Sequence, residues 1–189
     1  MYYGFVDHPI KSRRDWEGYK HRLSADSPGR LPDGWGTASF EVINSSDKPV
    51  LLNIYPYLFW MGFYTMGMKR FLTAFYDDPD MMYDMFSFLS DFVCDLIRPI
   101  LKHIKIDCAA FPEDLAFNTN PHISPRIYED FWYPYQDKVV RLLQEYNVPF
   151  IALWSAGNLN PLLPGLIEHG INMTLPLECQ ARDMDPYHL

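Results

Sequence analysis

Residues 150 to 170 read "FIALWSAGNLNPLLPGLIEHG", and the order of residue types in this stretch decides the fold. The opening residues are continuously apolar, the mark of a strand covered on both faces; a half-exposed strand alternates. A loop through Ser155, Ala156, Gly157 and Asn158 follows. Asn160 and Pro161 then open a helix, because proline at the first helical position gives up an N–H that has no intrahelical partner. Gly170 closes it. Strand, loop and helix make one β–α unit.

The same unit recurs on either side. "VLLNIY" (50 to 55), "DCAAF" (107 to 111), "VPFIALW" (148 to 154) and "INMTLP" (171 to 176) are short apolar runs of strand length. Helical spacing of apolar residues fills the gaps, over 59 to 76 and again from Asp78. There Asp78 is an N-cap and Pro79 the first helical residue. Met81, Met82, Met85, Phe88, Leu89, Phe92, Val93 and Leu96 continue the stripe, and Pro99 is expected to kink or break it. "ISPRIYEDFWYPYQDKVVRLLQEYN" repeats the start signal with Ser124 and Pro125. Apolar strands separated by helices make an α/β protein with a parallel sheet. An open doubly wound sheet would usually carry a glycine-rich strand-to-helix turn, and these loops hold proline, asparagine and acids instead. A (β/α)8 barrel of the TIM type is therefore expected, with about half of its eight units in this chain.

Residues 1 to 48 are polar and turn-rich, with a short helix expected over 15 to 23 and an irregular connection at "DSPGRLPDGWG". The division expected is an irregular N-terminal segment, 1 to 48, and a partial barrel, 49 to 189. A partial barrel leaves raw sheet edges and apolar faces. The chain should then form a homo-oligomer, most simply a dimer, or be found with its missing segments supplied.

Bulk properties narrow the function. Of the 189 residues, 48% are apolar, so the chain folds; its net charge of −8, with acids spread along it, argues against a nucleic-acid partner. No window holds about 18 uninterrupted apolar residues, so no membrane span is expected. The opening residues lack the pattern of a secretory signal. Cys94, Cys108 and Cys179 are odd in number and far apart, which fits a reducing cytoplasm better than a disulfide framework. The histidines never pair at metal-ligand spacing, and no metal is expected.

Barrel enzymes keep reactive groups on the loops after the strands. Those loops carry Tyr55 and Tyr57, then Glu113 and Asp114, then Ser155 and Asn158, then Glu178 and Cys179. Adjacent carboxylates such as those of "FPEDLAF" can share a proton or hold a cation, because like charges raise one pKa. The plainer alternative has Asp114 capping a short helix and Glu113 facing water. Glu113, Asp114 and Glu178 are the candidate catalytic residues. Tyr57, Lys69, His122, Ser155 and Asn158 are the candidate substrate-binding residues. Glu113, Asp114, Asn158 and Glu178 are expected to border one pocket.

"FYDDPDMM", "DCAAFPEDLAF", "HISPRIYEDFWYPYQDKVV", "AGNLNPLLPGLIEHGIN" and "LPLECQARDMD" fall in one order across roughly residues 50 to 185. Together they resemble the uroporphyrinogen decarboxylase family, in the broad sense that includes corrinoid-linked methyltransferases. The resemblance implies a (β/α)8 barrel with a deep pocket at the strand C-terminal ends. The N-terminal part of the family, with its key aspartate and carboxylate-binding arginines, has no counterpart here. In the zinc methyltransferase branch the loop after the third strand carries a His-x-Cys pair. Here those positions are Trp154 and Ala156, so zinc is not expected. A further branch carries acids there followed by Gly-Asn, and only Gly157 and Asn158 are kept. Lys69 stands where a carboxylate is expected. The function implied is that of a uroporphyrinogen decarboxylase-like protein acting on a carboxylated or methylated small molecule. No cofactor is needed, since protonating an electron-rich ring lets the carboxylate leave. The alternatives are a methyltransferase component working with a corrinoid protein, and a non-catalytic or truncated paralogue that binds a ligand.

Overall fold

Four parallel strands, in the order β1-β2-β3-β4, form the centre of the computed structural model. The structure describes residues 7–30 and 35–187. The strands are Leu51–Asn53 (β1), Cys108–Pro112 (β2), Phe150–Trp154 (β3) and Met173–Leu175 (β4). Each lies inside or within one residue of the apolar run that foretold it. The helices are Arg13–Lys20 (α1), Thr37–Asn44 (α2), Leu58–Met66 (α3), Met68–Asp77 (α4), Pro79–Leu101 (α5), Pro125–Ile127 (α6), Tyr133–Glu145 (α7) and Leu163–Glu168 (α8). A π-helical turn, Tyr128–Trp132, joins α6 to α7, and a 3-10 turn, Asn160–Leu162, leads into α8.

Local chemistry accounts for most boundaries. Helix α1 begins at Arg13, two residues before the expected start, because the Ser12 side chain caps it by accepting the Asp15 amide. Asp78 accepts the Met81 amide at the start of α5, with Pro79 following as the sequence implies. Pro99 does not end this helix at its own position. It sits in the last turn, where its ring costs one bond, and the helix stops two residues later at Leu101. The apolar stretch over 59 to 76 is two helices rather than one. Gly67 divides them at φ +76, a conformation that strains any residue with a Cβ. Helix α2 falls in the segment read as irregular. It has no side-chain cap and buries no residue completely, so its sequence carries little signal.

Register sorts the strand residues by face. Asn53, Ala110, Ala152 and Met173 lie side by side, so residues two positions away on each strand share their face. The other face carries Ala109, Phe111, Ile151 and Leu153, all buried in the core with residues of α3, α5 and α7. The first face is exposed in part: Ala110 and Ala152 at its middle are buried, while large side chains around them are not. Leu51, Phe150, Trp154 and Met173 on it are 57%, 49%, 48% and 38% exposed. The expectation of strands covered on both faces holds for one face only.

Candidate functional site

The loops after β2, β3 and β4 meet at the C-terminal end of the sheet. Their meeting is fixed by backbone bonds. The Glu113 amide donates to Trp154 O, the Asn158 amide to Phe117 O, and the Ser155 amide to Leu175 O.

Alternation along β2 sends Glu113 and Asp114 to opposite sides, and this separates the two adjacent acids. Glu113 is fully buried on the helix side. Its carboxyl accepts the Phe59 amide at 2.8 Å and the Trp60 amide at 3.0 Å, with the Trp132 indole N–H at 3.4 Å. These amides open α3, where helical N–H groups lack partners and the helix dipole favours negative charge. Burial nevertheless dominates: it pushes the Glu113 carboxyl up to about 7, against the amides and indole that pull it down. Glu113 therefore closes a helix end inside the protein, neither facing water nor reaching the open ends of the strands.

Asp114 points the other way and is half-buried. Burial raises its pKa first, the neighbouring Glu178 carboxylate raises it further, and hydrogen bonding from the Ala156 amide opposes both. Glu178 accepts the Gly157 amide at 2.6 Å. The β3 loop thus binds the carboxylate from the β4 loop through the Gly157 amide and has the one from the β2 loop beside it. No helix begins at Asp114, so the capping alternative does not apply.

Ser155 and Asn158 stitch the loops together. Ser155 Oγ accepts the Leu115 amide at 2.9 Å and donates to Ala156 O at 3.1 Å. Asn158 donates to Thr119 O at 3.0 Å and accepts the Asn160 amide at 3.1 Å. Both side chains are almost wholly buried. Tyr57 is in the core, its ring 5.1 Å from that of Phe111. Lys69 lies exposed in the first turn of α4. Among the described residues, surface concavities of 420 to 570 Å³ include one that Tyr57 borders and another that His122 borders; Glu113, Asp114, Ser155, Asn158 and Glu178 line none of the five.

His122 is half-buried, with Phe59, Phe63 and Phe117 around its ring at 5.8, 5.8 and 4.1 Å. Neither ring nitrogen has a hydrogen-bond partner within the protein, and burial lowers its pKa. A buried polar atom without a partner costs stability. Replacing His122 by Phe should therefore raise the melting temperature by a few degrees, on the order of 1 kcal/mol. A lower melting temperature would show that the ring nitrogens do have a partner.

Among the described residues, no group of three or more His, Cys, Asp or Glu side chains could hold a metal. Trp154 is half-exposed and Ala156 carries no donor side chain, so the loop does not fit zinc. No helix among the described residues is long and apolar enough to cross a membrane. The contribution that sequence reasoning missed comes from backbone: the amides of Phe59, Trp60 and Gly157 are invisible in a list of side chains.

No protein-family model and no curated protein matches the chain. Among solved structures it is similar to a methyltransferase from Methanosarcina mazei, with a TM-score of 0.56 at 15% identity, covering 72% of this chain and 39% of that one. At that identity the likeness speaks for the fold. The chain spans about two fifths of the length of that protein.

Proposed function

We propose that the chain forms part of the mouth of a uroporphyrinogen decarboxylase-like barrel, and that Asp114 and Glu178 act there on a methylated small molecule in a methyl-transfer reaction. The observation that carries this reading is the pair of carboxylates on the β3 loop, with Glu178 on the Gly157 amide and Asp114 beside it. Burial first, and the Glu178 carboxylate second, raise the pKa of Asp114, so it holds a proton more tightly than an ordinary aspartate. The methyl group passes to a nucleophile of the partner, which supplies the electrons of the new bond, while the heteroatom retains those of the old one; a leaving oxygen also takes a proton, whereas an amine leaving from a quaternary ammonium needs none. Asp114 supplies a proton where one is needed, and the carboxylates attract a cationic methylated group. A methyltransferase among the structural neighbours supports methyl transfer, and a corrinoid protein is the partner that the sequence resemblance offers. Decarboxylation of a polycarboxylate fits less well, because the charge acting on Asp114 is another carboxylate.

Saturation-transfer NMR tests the reading with tetramethylammonium, methanol and a benzene polycarboxylate as probes. Tetramethylammonium is expected to bind, and Glu178→Gln to weaken it about tenfold, worth about 1.4 kcal/mol. Preferential binding of the polycarboxylate, or no effect of Glu178→Gln, would sink it.

A further inference from the structure

The partly exposed face of the sheet and its two edges match each other. Leu51, Phe150, Trp154 and Met173 of β1, β3 and β4 are exposed, and Tyr55 and Leu177, each two residues beyond its strand, are 47% and 37% exposed. The register makes this one surface: Leu51 is level with Cys108 and Phe150, and Trp154 with Leu175. We infer that a second copy of this chain covers that face, and that two sheets of four parallel strands close into one eight-stranded barrel about a two-fold axis along its centre.

Four features select a second copy as the occupant. The first is number: the described residues supply four strands in sequential order, half of the eight that close such a barrel. The second is direction. A two-fold axis along the barrel keeps all strands parallel and sets β4 of each copy beside β1 of the other, so both edges are satisfied by one reciprocal contact. The third is charge. The strand residues on this face carry no ionisable acid or base apart from the Cys108 thiol, so two chains of net charge −8 meet where repulsion is least. The fourth is area. Six large side chains with roughly half of a surface near 150–250 Å² exposed offer about 500 Å² per copy, or about 1,000 Å² for the pair. Two new strand pairings bring this to the roughly 1,200–2,000 Å² of a specific interface. Outside the β1 edge, a groove of about 420 Å³ lined by Leu52, Leu89, Phe92, Leu96 and Ile100 is open to cover from the same partner.

Closure also fixes a register. An eight-stranded barrel of this type has a shear of about eight residues, so half a circuit shifts the pairing by about four. Met173 is level with Asn53 within one copy. Leu175 of one copy then falls beside Leu51 of the other. The strand ends already drift this way: β4 joins the ladder at the level of Asn53, while β2 and β3 begin at the level of Leu51. The closed barrel has two mouths' worth of loops at one end. The acid pair of one copy therefore faces that of the other across a shared entrance.

Sedimentation equilibrium of the full chain is expected to give twice 22.2 kDa over the micromolar range. Trp154→Lys is expected to give a monomer, with helical content followed by circular dichroism. A second measurement does not depend on that variant folding. Chains carrying Leu51→Cys are mixed with chains carrying Leu175→Cys and oxidised. A cross-linked pair absent from either variant alone is expected. A stable wild-type monomer, an open series of larger species, a Trp154→Lys dimer, or a dimer without the Leu51–Leu175 cross-link would each overturn the inference. The first of these outcomes would instead assign the partly exposed face to barrel segments from elsewhere. None of these readouts depends on the ligand, so this inference and the methyl-transfer reading stand or fall separately.

Discussion

Replacing Glu113 by alanine should destabilise the protein by about 3–5 kcal/mol at pH 5, and by much less at pH 8. At pH 5 the protonated carboxyl still accepts the Phe59 and Trp60 amides. Its removal strands those buried donors, at roughly 1–3 kcal/mol each, and leaves a void. The pH dependence follows from linkage. Glu113 titrates near 7 in the folded protein against an ordinary 4.5, so the folded state holds the proton more tightly than the unfolded one. Its contribution is complete below about 4.5 and is lost as pH rises through 7, amounting to about 3 kcal/mol. Urea midpoints at pH 5 and pH 8 measure both quantities. The variant Glu113→Gln, which cannot ionise, should lack this part of the slope. A wild-type protein and a Glu113→Gln variant with the same pH profile would show that the buried carboxyl is already charged at pH 5.

Gly157→Ala should be nearly as damaging, and should act on the site as well. Gly157 has φ +85, and a Cβ there would lie 2.5 Å from Ala116 O and 2.6 Å from Phe117 O. The left-handed conformation alone costs about 1–2 kcal/mol for a residue with a side chain. The clash is with backbone, which cannot rotate away. Relief would push the β3 loop off the β2 loop, weakening the Asn158 amide's bond to Phe117 O and turning the Gly157 amide away from Glu178. The expected result is a loss of about 3 kcal/mol in chemical denaturation. Any affinity for the cationic probe should vanish with it. Full stability in Gly157→Ala would mean that the loop has another conformation available.

What could be read in the sequence divides along physical lines. The strands were legible because continuous apolar runs have few alternatives, and α5 because Asp78 and Pro79 mark its start chemically. The α/β class and the parallel sheet follow from those runs alone. Helix α2 was not legible: it has neither a capping side chain nor a fully buried residue. The site was half legible. Asp114 and Glu178 were chosen for their place after strands, and the structure brings them to one loop. Glu113 was chosen on the same ground, but the period of two along a strand forbids neighbours from sharing a face. That argument was available from "PED" itself. The roles of Ser155 and Asn158 were not, because only the folded loops show that their hydrogen-bonding capacity goes to backbone groups of the chain.

The strand order has a consequence for how the protein is made. Each strand pairs with the one synthesised just before it. Yet each ladder spans a whole β–α unit, as from Leu51 to Cys108 and from Cys108 to Phe150, and parallel pairings across such separations form slowly. A chain emerging from the ribosome can add β2 to β1 and β3 to β2 as each appears, each time covering one face with the helix that comes between. The other face obtains no cover from this growth. From the moment β3 is out, Phe150 and Trp154 stand in solvent on a rigid surface, and every later step of synthesis lengthens their exposure. Holding chaperones would meet this protein at that face, on nascent chains long enough to include β3.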